Sequence, residues 1–500
     1  MAMNKRSRSS GLLLSAILAL IGLFLIDVEF ASSLDPAATQ AAPAATTTTA
    51  ATATPATSTT AGATAAVTRA KDPGARPGAG AAGGPIPGLT PNQQKFFQAG
   101  LLDFAEQETV EEGLGPTMNL DSCAGCHSQP AIGGSSPPLN PQVAFAKKLG
   151  AVNRLPSFIT ANGPVREVRF IKNANGTPDG GVHDLFTIAG RSDAPGCAMG
   201  QPDFATAVAS KNAIFRIPTP LFGAGLIEDI PDSAILANQT VNAPQRRTFG
   251  IRGRPNIVLA GSTISGQPNN NGNDGTIARF GWKGQNKSLL LFSGEAYNVE
   301  MGITNELFQT ERNEQGTCQY SATPNDTTQS DSADGIGTLS GFEKFAIFMR
   351  FLAPPMPSAT VPGGAPSITR GQGVFSTVGC AACHTPMMRT GNSTVAALRN
   401  QTVNLYSDLM LHDMGPGLAD GVSQGQAGPR DFRTAPLWGL GQRIFFLHDG
   451  RTSDLIAAIQ AHASGSTRSN DASEASLVVA NFNNLRETQK QDLLNFLRSR

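Results

Sequence analysis

Two short cysteine–histidine motifs are the strongest chemical signal in the sequence. The first, Cys-Ala-Gly-Cys-His, spans residues 123–127, and the second, Cys-Ala-Ala-Cys-His, spans residues 380–384. Two thiols three positions apart can add to the two vinyl groups of one haem, and the adjoining histidine can ligate its iron. The sequence therefore predicts two covalently bound haem c groups. The predicted attachment residues are Cys123, Cys126 and His127 for the first haem, and Cys380, Cys383 and His384 for the second.

Zinc binding and dithiol chemistry are the other uses of such a motif. A structural zinc site needs a further cysteine pair or paired histidines at finger-like spacing, and the sequence has none near either motif. A thioredoxin-type dithiol lies in a β-α-β context, whereas the flanks here have helical and loop-like patterns. Haem attachment is therefore the interpretation that we keep.

Two of the six cysteines, Cys197 and Cys318, lie outside the motifs. A disulfide between them is compatible with an exported protein, and two unrelated buried thiols are the alternative. We favour the disulfide.

Five segments with helical periodicity are expected to position the motifs. They are residues 92–107, 339–352, 367–378, 452–463 and 486–498. The helices at 92–107 and 367–378 each precede one motif. Amphipathic helices at 339–352 and 486–498 end the two haem-binding units, so we expect the first and last helices of each unit to pack across one another.

The predicted fold class is mainly α with much irregular structure, in two cytochrome c-like haem domains. The first domain covers residues 90–355 and the second covers residues 366–500. A loop-rich insertion in the first, at 140–335, is rich in Gly, Pro and Asn and has strand-like runs at 165–171 and 288–292.

The start of the chain predicts export. Basic residues precede an apolar run at 11–26, which is typical of a signal peptide, so we assign residues 1–33 to a signal peptide or an N-terminal membrane anchor. Residues 34–88 are mostly Ala, Thr, Pro and Gly and predict a disordered linker. The expected location is the periplasm or the outer face of the cytoplasmic membrane, with a possible tether through the N-terminal segment.

The overall charge argues against a nucleic-acid partner. The 38 basic and 38 acidic residues balance, and no basic stripe of the kind that nucleic acid requires is present.

Several stretches resemble the di-haem oxidoreductases, which are also described as thiol-oxidoreductase-like proteins or peroxidases. The resemblance covers essentially residues 90–500 and, at a greater distance, extends to the bacterial di-haem cytochrome c peroxidases. The stretches are CAGCHSQPAIGG, LFTIAGRSDAPGC, PTPLFGAGLIEDIPD, YNVEMGITNELF, YSDLMLHDMGPGLADG and APLWGLGQRIFFLHDGRTSDLIAAIQAH.

The resemblance implies roles for two residues of the insertion. In the peroxidases, a W-D-G-R…E-M-G stretch supplies a tryptophan between the haems and an acid–base carboxylate, and the similar stretch here aligns them with Trp282 and Glu300. The spacing is about two residues shorter. The glutamine that usually lies between the two has no clear match.

The resemblance also implies a second axial ligand for the second haem. In the peroxidases, an H-D-G or H-S-G motif is followed fourteen residues later by a methionine ligand. Here the motif is His448-Asp449-Gly450 and the matching position holds His462. A second histidine in place of methionine implies a lower reduction potential, while His448 is expected to be a supporting or packing residue.

The sequence shows no obvious sixth ligand for the iron of the first haem. The alternatives are Glu300, His183, His412 or no ligand at all. We favour an exported di-haem oxidoreductase of the peroxidase type, with one open catalytic haem and one electron-relay haem. The alternative is a non-catalytic di-haem electron-transfer protein. The expected partner is a small redox protein or a small-molecule oxidant; the sequence offers no residue set for thiol oxidation and does not indicate the oligomeric state.

Overall fold

The structure is a computed structural model that describes residues 69–500 with short gaps. The gaps are residues 116–117, 119, 151, 153–154, 180–190, 198, 259–262, 265–266, 269–275, 311–315 and 466–470. The described residues all belong to one compact unit that begins at Ala66. The predicted signal segment, most of the predicted linker and His183 lie outside the described residues.

Helices are the main regular structure of the described chain. In chain order they are α1 (Pro91–Ala105), α2 (Cys123–Cys126), α3 (Pro141–Lys148), α4 (Phe204–Ala209), α5 (Ala224–Glu228), α6 (Asp232–Val241), α7 (Ala243–Phe249), α8 (Leu289–Met301), α9 (Gly341–Phe351), α10 (Ala365–Val378), α11 (Gly415–Leu418), α12 (Leu455–Ala461), α13 (Ser476–Asn483) and α14 (Glu487–Arg498). The five predicted helices are confirmed as α1, α9, α10, α12 and α14, with ends that differ by a few residues.

The strands are short and form two-stranded antiparallel ribbons. In chain order they are β1 (Glu167–Phe170), β2 (Ala213–Arg216), β3 (Asn256–Val258), β4 (Thr263–Ile264), β5 (Gln267–Pro268), β6 (Thr276–Ala278), β7 (Met388–Arg389), β8 (Thr402–Val403), β9 (Leu411–Asp413) and β10 (Asp431–Arg433). The pairs are β1–β2, β3–β6, β4–β5, β7–β8 and β9–β10. The structure is thus mainly helical with much irregular chain, as predicted.

The strand-like interpretation of residues 288–292 is wrong. The Ser288 side chain accepts a hydrogen bond from the Leu291 amide and caps helix α8, which begins at Leu289. A short continuous apolar run fits a buried helix as well as a strand, and the serine cap with the buried surroundings of α8 decides for the helix.

The first and last helices of each predicted haem unit pack across one another, as expected. Helix α1 contacts α9, and α10 contacts α14. Each crossing has a glycine at its closest point: a β-carbon added at Gly100 would meet the backbone oxygen of Lys344, and one added at Gly371 would meet that of Asp492. The two helix pairs therefore pack in the same way, because a glycine without a side chain lets the two backbones approach each other closely.

Capping motifs set the starts of the first pair. Thr90 forms a capping box with Gln93 at the start of α1, and Ser340 forms one with Glu343 at the start of α9. Each box satisfies two amide groups that a helix otherwise leaves without partners.

An aromatic cluster lies within each helix pair. In the first, the Phe104 ring lies 4.8 Å from that of Phe345 and 5.9 Å from the His127 ring. In the second, the Phe375 ring lies 5.3 Å from that of Phe496 and 6.4 Å from the His384 ring. Each cluster thus packs beside the histidine of one motif.

The end of the predicted disordered linker is ordered against the rest of the molecule. Asp72 forms a buried ion pair with Arg498 at 2.7 Å, and the Ile86 amide donates to the Phe351 carbonyl oxygen at 2.7 Å. The linker prediction is therefore wrong for residues 69–88.

Cys197 and Cys318 form the predicted disulfide. Among the described residues, no helix is long and apolar enough to cross a membrane.

Candidate functional site

The first motif opens onto a cavity beside helix α2. Cys123, Cys126 and His127 line this cavity, whose empty volume is about 840 Å³ with the space open to solvent included. His127 Nδ1 lies 3.0 Å from the Gly134 carbonyl oxygen and donates its proton there. The other ring nitrogen, Nε2, is therefore left with its lone pair for a ligand role.

The second motif opens onto a larger cavity with two histidines. Cys380, Cys383, His384 and His462 line it, and its empty volume is about 1460 Å³ on the same measure. Burial and, to a smaller extent, the nearby His462 together lower the pKa of His384 to about 4. Burial also lowers the pKa of His462, so both rings are neutral at pH 7.

The same hydrogen-bond pattern orients both histidines of the second cavity. His384 Nδ1 donates to the Tyr406 carbonyl oxygen at 3.0 Å, and His462 Nδ1 donates to the Ala458 carbonyl oxygen at 2.8 Å. Each ring thus keeps Nε2 as a lone-pair donor. An axial histidine normally needs such a partner on its other nitrogen, because the partner sets the tautomer and the ring orientation.

The donor sets fit haem. Each cavity combines a pair of thiols with a histidine whose Nε2 is free to bind a ligand, and the second adds another histidine in mostly apolar surroundings. Paired thiols that add to the vinyl groups and an imidazole that ligates the iron are the groups that c-type haem attachment uses.

Glu300 faces His127 inside the first cavity. It lies in the last turn of α8, and its Oε2 atom is 3.9 Å from His127 Nε2. Its side chain keeps 41% of its surface exposed, so water can exchange protons with it.

Several polar side chains that the sequence did not single out also line the first cavity. They are Gln142, Glu167, Arg169, Arg216, Gln285 and Glu295. Gln285, three residues after Trp282, has a buried carboxamide oxygen with no hydrogen-bond partner. It lies between Trp282 and Glu300 in the sequence, where the peroxidases usually have a glutamine for which the sequence comparison gave no clear match. Burial raises the pKa of Glu295 to about 7.

Trp282 lines both cavities. Its indole N–H donates to the Ile217 carbonyl oxygen at 3.0 Å, which holds the ring in place, and the Arg443 guanidinium lies 5.5 Å from the ring centre. The ring therefore stands where the two cavities meet.

The two remaining predicted histidines lie at the second cavity. His448 stacks on Phe432 with ring centres 4.4 Å apart, in agreement with a packing role. His412 lies between Asp408 (3.0 Å) and Glu474 (2.7 Å) and lines the second cavity.

The idea that His412 closes the first haem is therefore wrong. Both of its ring nitrogens already bind carboxylates, and its nearest motif residue is Cys383, with Nδ1 3.6 Å from the sulfur. His183 lies outside the described residues, so Glu300 is the described candidate of the original three that faces His127.

Comparison with known proteins gives one family and one solved structure. Residues 172–500 match the family described as "Di-haem oxidoreductase, putative peroxidase". The solved structure is the diheme peroxidase BthA from Burkholderia thailandensis E264, with 16% sequence identity and a TM-score of 0.26, and the match covers 44% of this chain. The chain spans 65% of the length of that peroxidase. No curated protein matches the sequence.

Proposed function

Because the chain belongs to the family of di-haem oxidoreductases, we propose that it is an exported di-haem c-type cytochrome with peroxidase activity. The observation that carries this proposal is that Trp282 lines both cavities while the partly exposed carboxylate of Glu300 lines the first. The substrate is hydrogen peroxide or a related small oxidant, and the electrons come from a small redox protein in the periplasm or at the outer face of the cytoplasmic membrane.

Each motif holds one haem through two thioether bonds. Cys123 and Cys126 hold the first, and Cys380 and Cys383 hold the second. A bound haem would supply an iron that exchanges electrons and reacts with peroxide. His127 and His384 would hold the two irons through Nε2, and a backbone carbonyl oxygen orients each ring.

Glu300 moves the protons of the reaction. Its carboxylate accepts a proton from the oxygen of peroxide that faces the first haem and returns it to the departing oxygen, which leaves as water. Two electrons and two further protons complete the reduction of one peroxide to two water molecules. The partial exposure of Glu300 lets solvent supply those protons.

His384 and His462 prepare the second cavity for electron storage. Both keep Nε2 available to this cavity, so the two would hold the iron of a bound haem, which would supply electron storage there. Trp282, on the walls of both cavities, shortens the gap that an electron must cross.

Replacing His462 tests its ligand role. We expect His462→Met to keep the second haem low-spin and to raise its reduction potential, because a methionine ligand favours the reduced iron. We expect His462→Ala to make this haem high-spin. Redox titration and EPR of the holo-protein measure both effects, with Gln460→Ala on the exposed side of α12 as the control. If the EPR spectrum of His462→Ala were unchanged, His462 would not be a ligand of the iron.

One distance in the structure favours a second function. The 3.9 Å between Glu300 Oε2 and His127 Nε2 is close to the span of two metal–ligand bonds of about 2 Å each. Glu300 as a sixth ligand would close the first haem, and the protein would then carry electrons without reacting with peroxide.

The electronic and EPR spectra of the purified holo-protein decide between the two functions. We expect one high-spin ferric haem whose signal changes when peroxide is added, and one low-spin haem. Two low-spin signals that peroxide leaves unmoved would contradict the peroxidase and support the electron carrier.

A further inference from the structure

Two arginines of the second cavity lack an ion pair with any described carboxylate. The charge of Asp408 acts on Arg433, but Asp408 already pairs with Arg246 and His412. Arg433 and Arg443 both line this cavity. Arg433 donates to the carbonyl oxygens of Gly281 (3.0 Å) and Thr434 (3.1 Å), and Arg443 donates to that of Phe445 (2.9 Å). Within the described part of the chain, neither guanidinium forms an ion pair.

Two fully buried arginines of this protein have an acidic partner. Arg216 pairs with Asp420 and Arg246 pairs with Asp408, each at 2.6 Å. A buried guanidinium without a counter-charge is costly, and the protein avoids that cost at these two positions. A bound anion that is not part of the polypeptide would therefore stabilise the two cavity arginines.

Burial acts on both of these side chains. It lowers the pKa of Arg433 and of Arg443 to about 10. The Nη2 atom of Arg443 is buried and has no hydrogen-bond acceptor. A guanidinium in this state has unused donors as well as unpaired charge.

We propose that Arg433 and Arg443 bind the two propionate carboxylates of the haem attached at Cys380 and Cys383. This inference rests on the proposed second haem. Two guanidinium groups match two carboxylates in number and charge, and the planar guanidinium fork fits a carboxylate through paired hydrogen bonds. The thioether bonds hold the opposite side of the same haem, so the two sets of residues together set its orientation.

The arginines also connect this haem to the boundary between the cavities. The Arg443 guanidinium lies 5.5 Å from the Trp282 ring centre, and the Arg433 amide donates to the Trp282 carbonyl oxygen at 3.0 Å. Propionates bound there direct the acidic edge of the second haem towards Trp282 and the first cavity. The two positive charges also offset the propionate charges, which raises the reduction potential of this haem.

The test is an EPR-monitored redox titration of the holo-protein. We expect Arg443→Met to shift the midpoint potential of the low-spin haem to lower values and Arg443→Lys to restore most of the shift, while the first haem changes little. The control is Arg399→Met, because Arg399 also donates only to backbone carbonyl oxygens (those of Ser393 and Thr394) but is exposed. If Arg443→Met does not retain both haems, Arg443→Gln gives the same comparison.

An unchanged potential in Arg443→Met would overturn the inference. A wild-type potential that depends on added acetate or phosphate would also overturn it, because the anion at Arg443 would then come from solution. Haem staining and the wild-type spectrum test separately whether the second haem is present. If it is present but Arg443→Met leaves its potential unchanged, only the propionate contacts are rejected. If the second haem is absent, the proposed function and this inference are both rejected.

Discussion

Glu300→Gln is expected to slow peroxide reduction by roughly 10²–10⁴-fold, the usual contribution of a positioned general acid–base group. Glutamine keeps the shape of the side chain in the first cavity but cannot take a proton from peroxide. Both haems should remain attached, because the thiols of the two motifs are unaltered. Stopped-flow measurement of peroxide consumption with a reduced electron donor gives the rate.

A matched glutamate separates this effect from a general loss of charge. Glu111 is exposed, and Glu111→Gln removes the same charge without touching either cavity. We expect it to react at the wild-type rate. If Glu300→Gln were as fast as Glu111→Gln, Glu300 would not be the acid–base group; if Glu300→Gln instead turned a low-spin first haem into a high-spin one, Glu300 would be its ligand.

Gly371→Ala is expected to destabilise the protein by about 1–3 kcal/mol or more, the usual range for forcing extra atoms into a packed interface. The added β-carbon would meet the Asp492 backbone oxygen and lie 2.7 Å from the Phe496 β-carbon. Helix α14 would have to move away from α10, and the aromatic packing beside His384 would loosen. Denaturant unfolding of the holo-protein, followed by circular dichroism, measures the change in the free energy of unfolding.

The same helix supplies the control. Gly373 is exposed, and a β-carbon there meets nothing within 4 Å. Because alanine favours a helix over glycine by about 1 kcal/mol, we expect Gly373→Ala to be neutral or stabilising. Equal stability of Gly371→Ala and Gly373→Ala would show that the close approach of α10 and α14 does not contribute to stability.

The sequence alone was enough for the features that depend on neighbouring residues. The two motifs need only five consecutive residues each, and the periodicity of α1, α9, α10 and α14 is likewise local. Even the crossing of each helix pair could be predicted, because an amphipathic helix must bury its apolar face and each unit offered one partner.

Local patterns failed where a short segment was compatible with two structures. Residues 288–292 have an apolar run without a clear period, so the sequence did not reveal helix α8 or the turn from which Glu300 faces His127. Residues 69–88 look like linker by composition, yet the Asp72–Arg498 pair holds them against the last helix. For residues 69–88 the deciding contact comes from a residue far away in the chain, whereas for α8 the local serine cap acts together with burial by distant residues.

Only the tertiary structure decided how the two cavities are built. Arg169 and Arg216 reach the first cavity because β1 pairs with β2, and Trp282 reaches both cavities from the long insertion. That no acid among the described residues forms an ion pair with Arg443 is likewise visible only once the chain is folded. The spacing of the cysteines and the histidine within each motif specifies where haem can attach. The walls and charges of the cavities, and the electron path between them, depend on long-range packing, which no short stretch of sequence encodes.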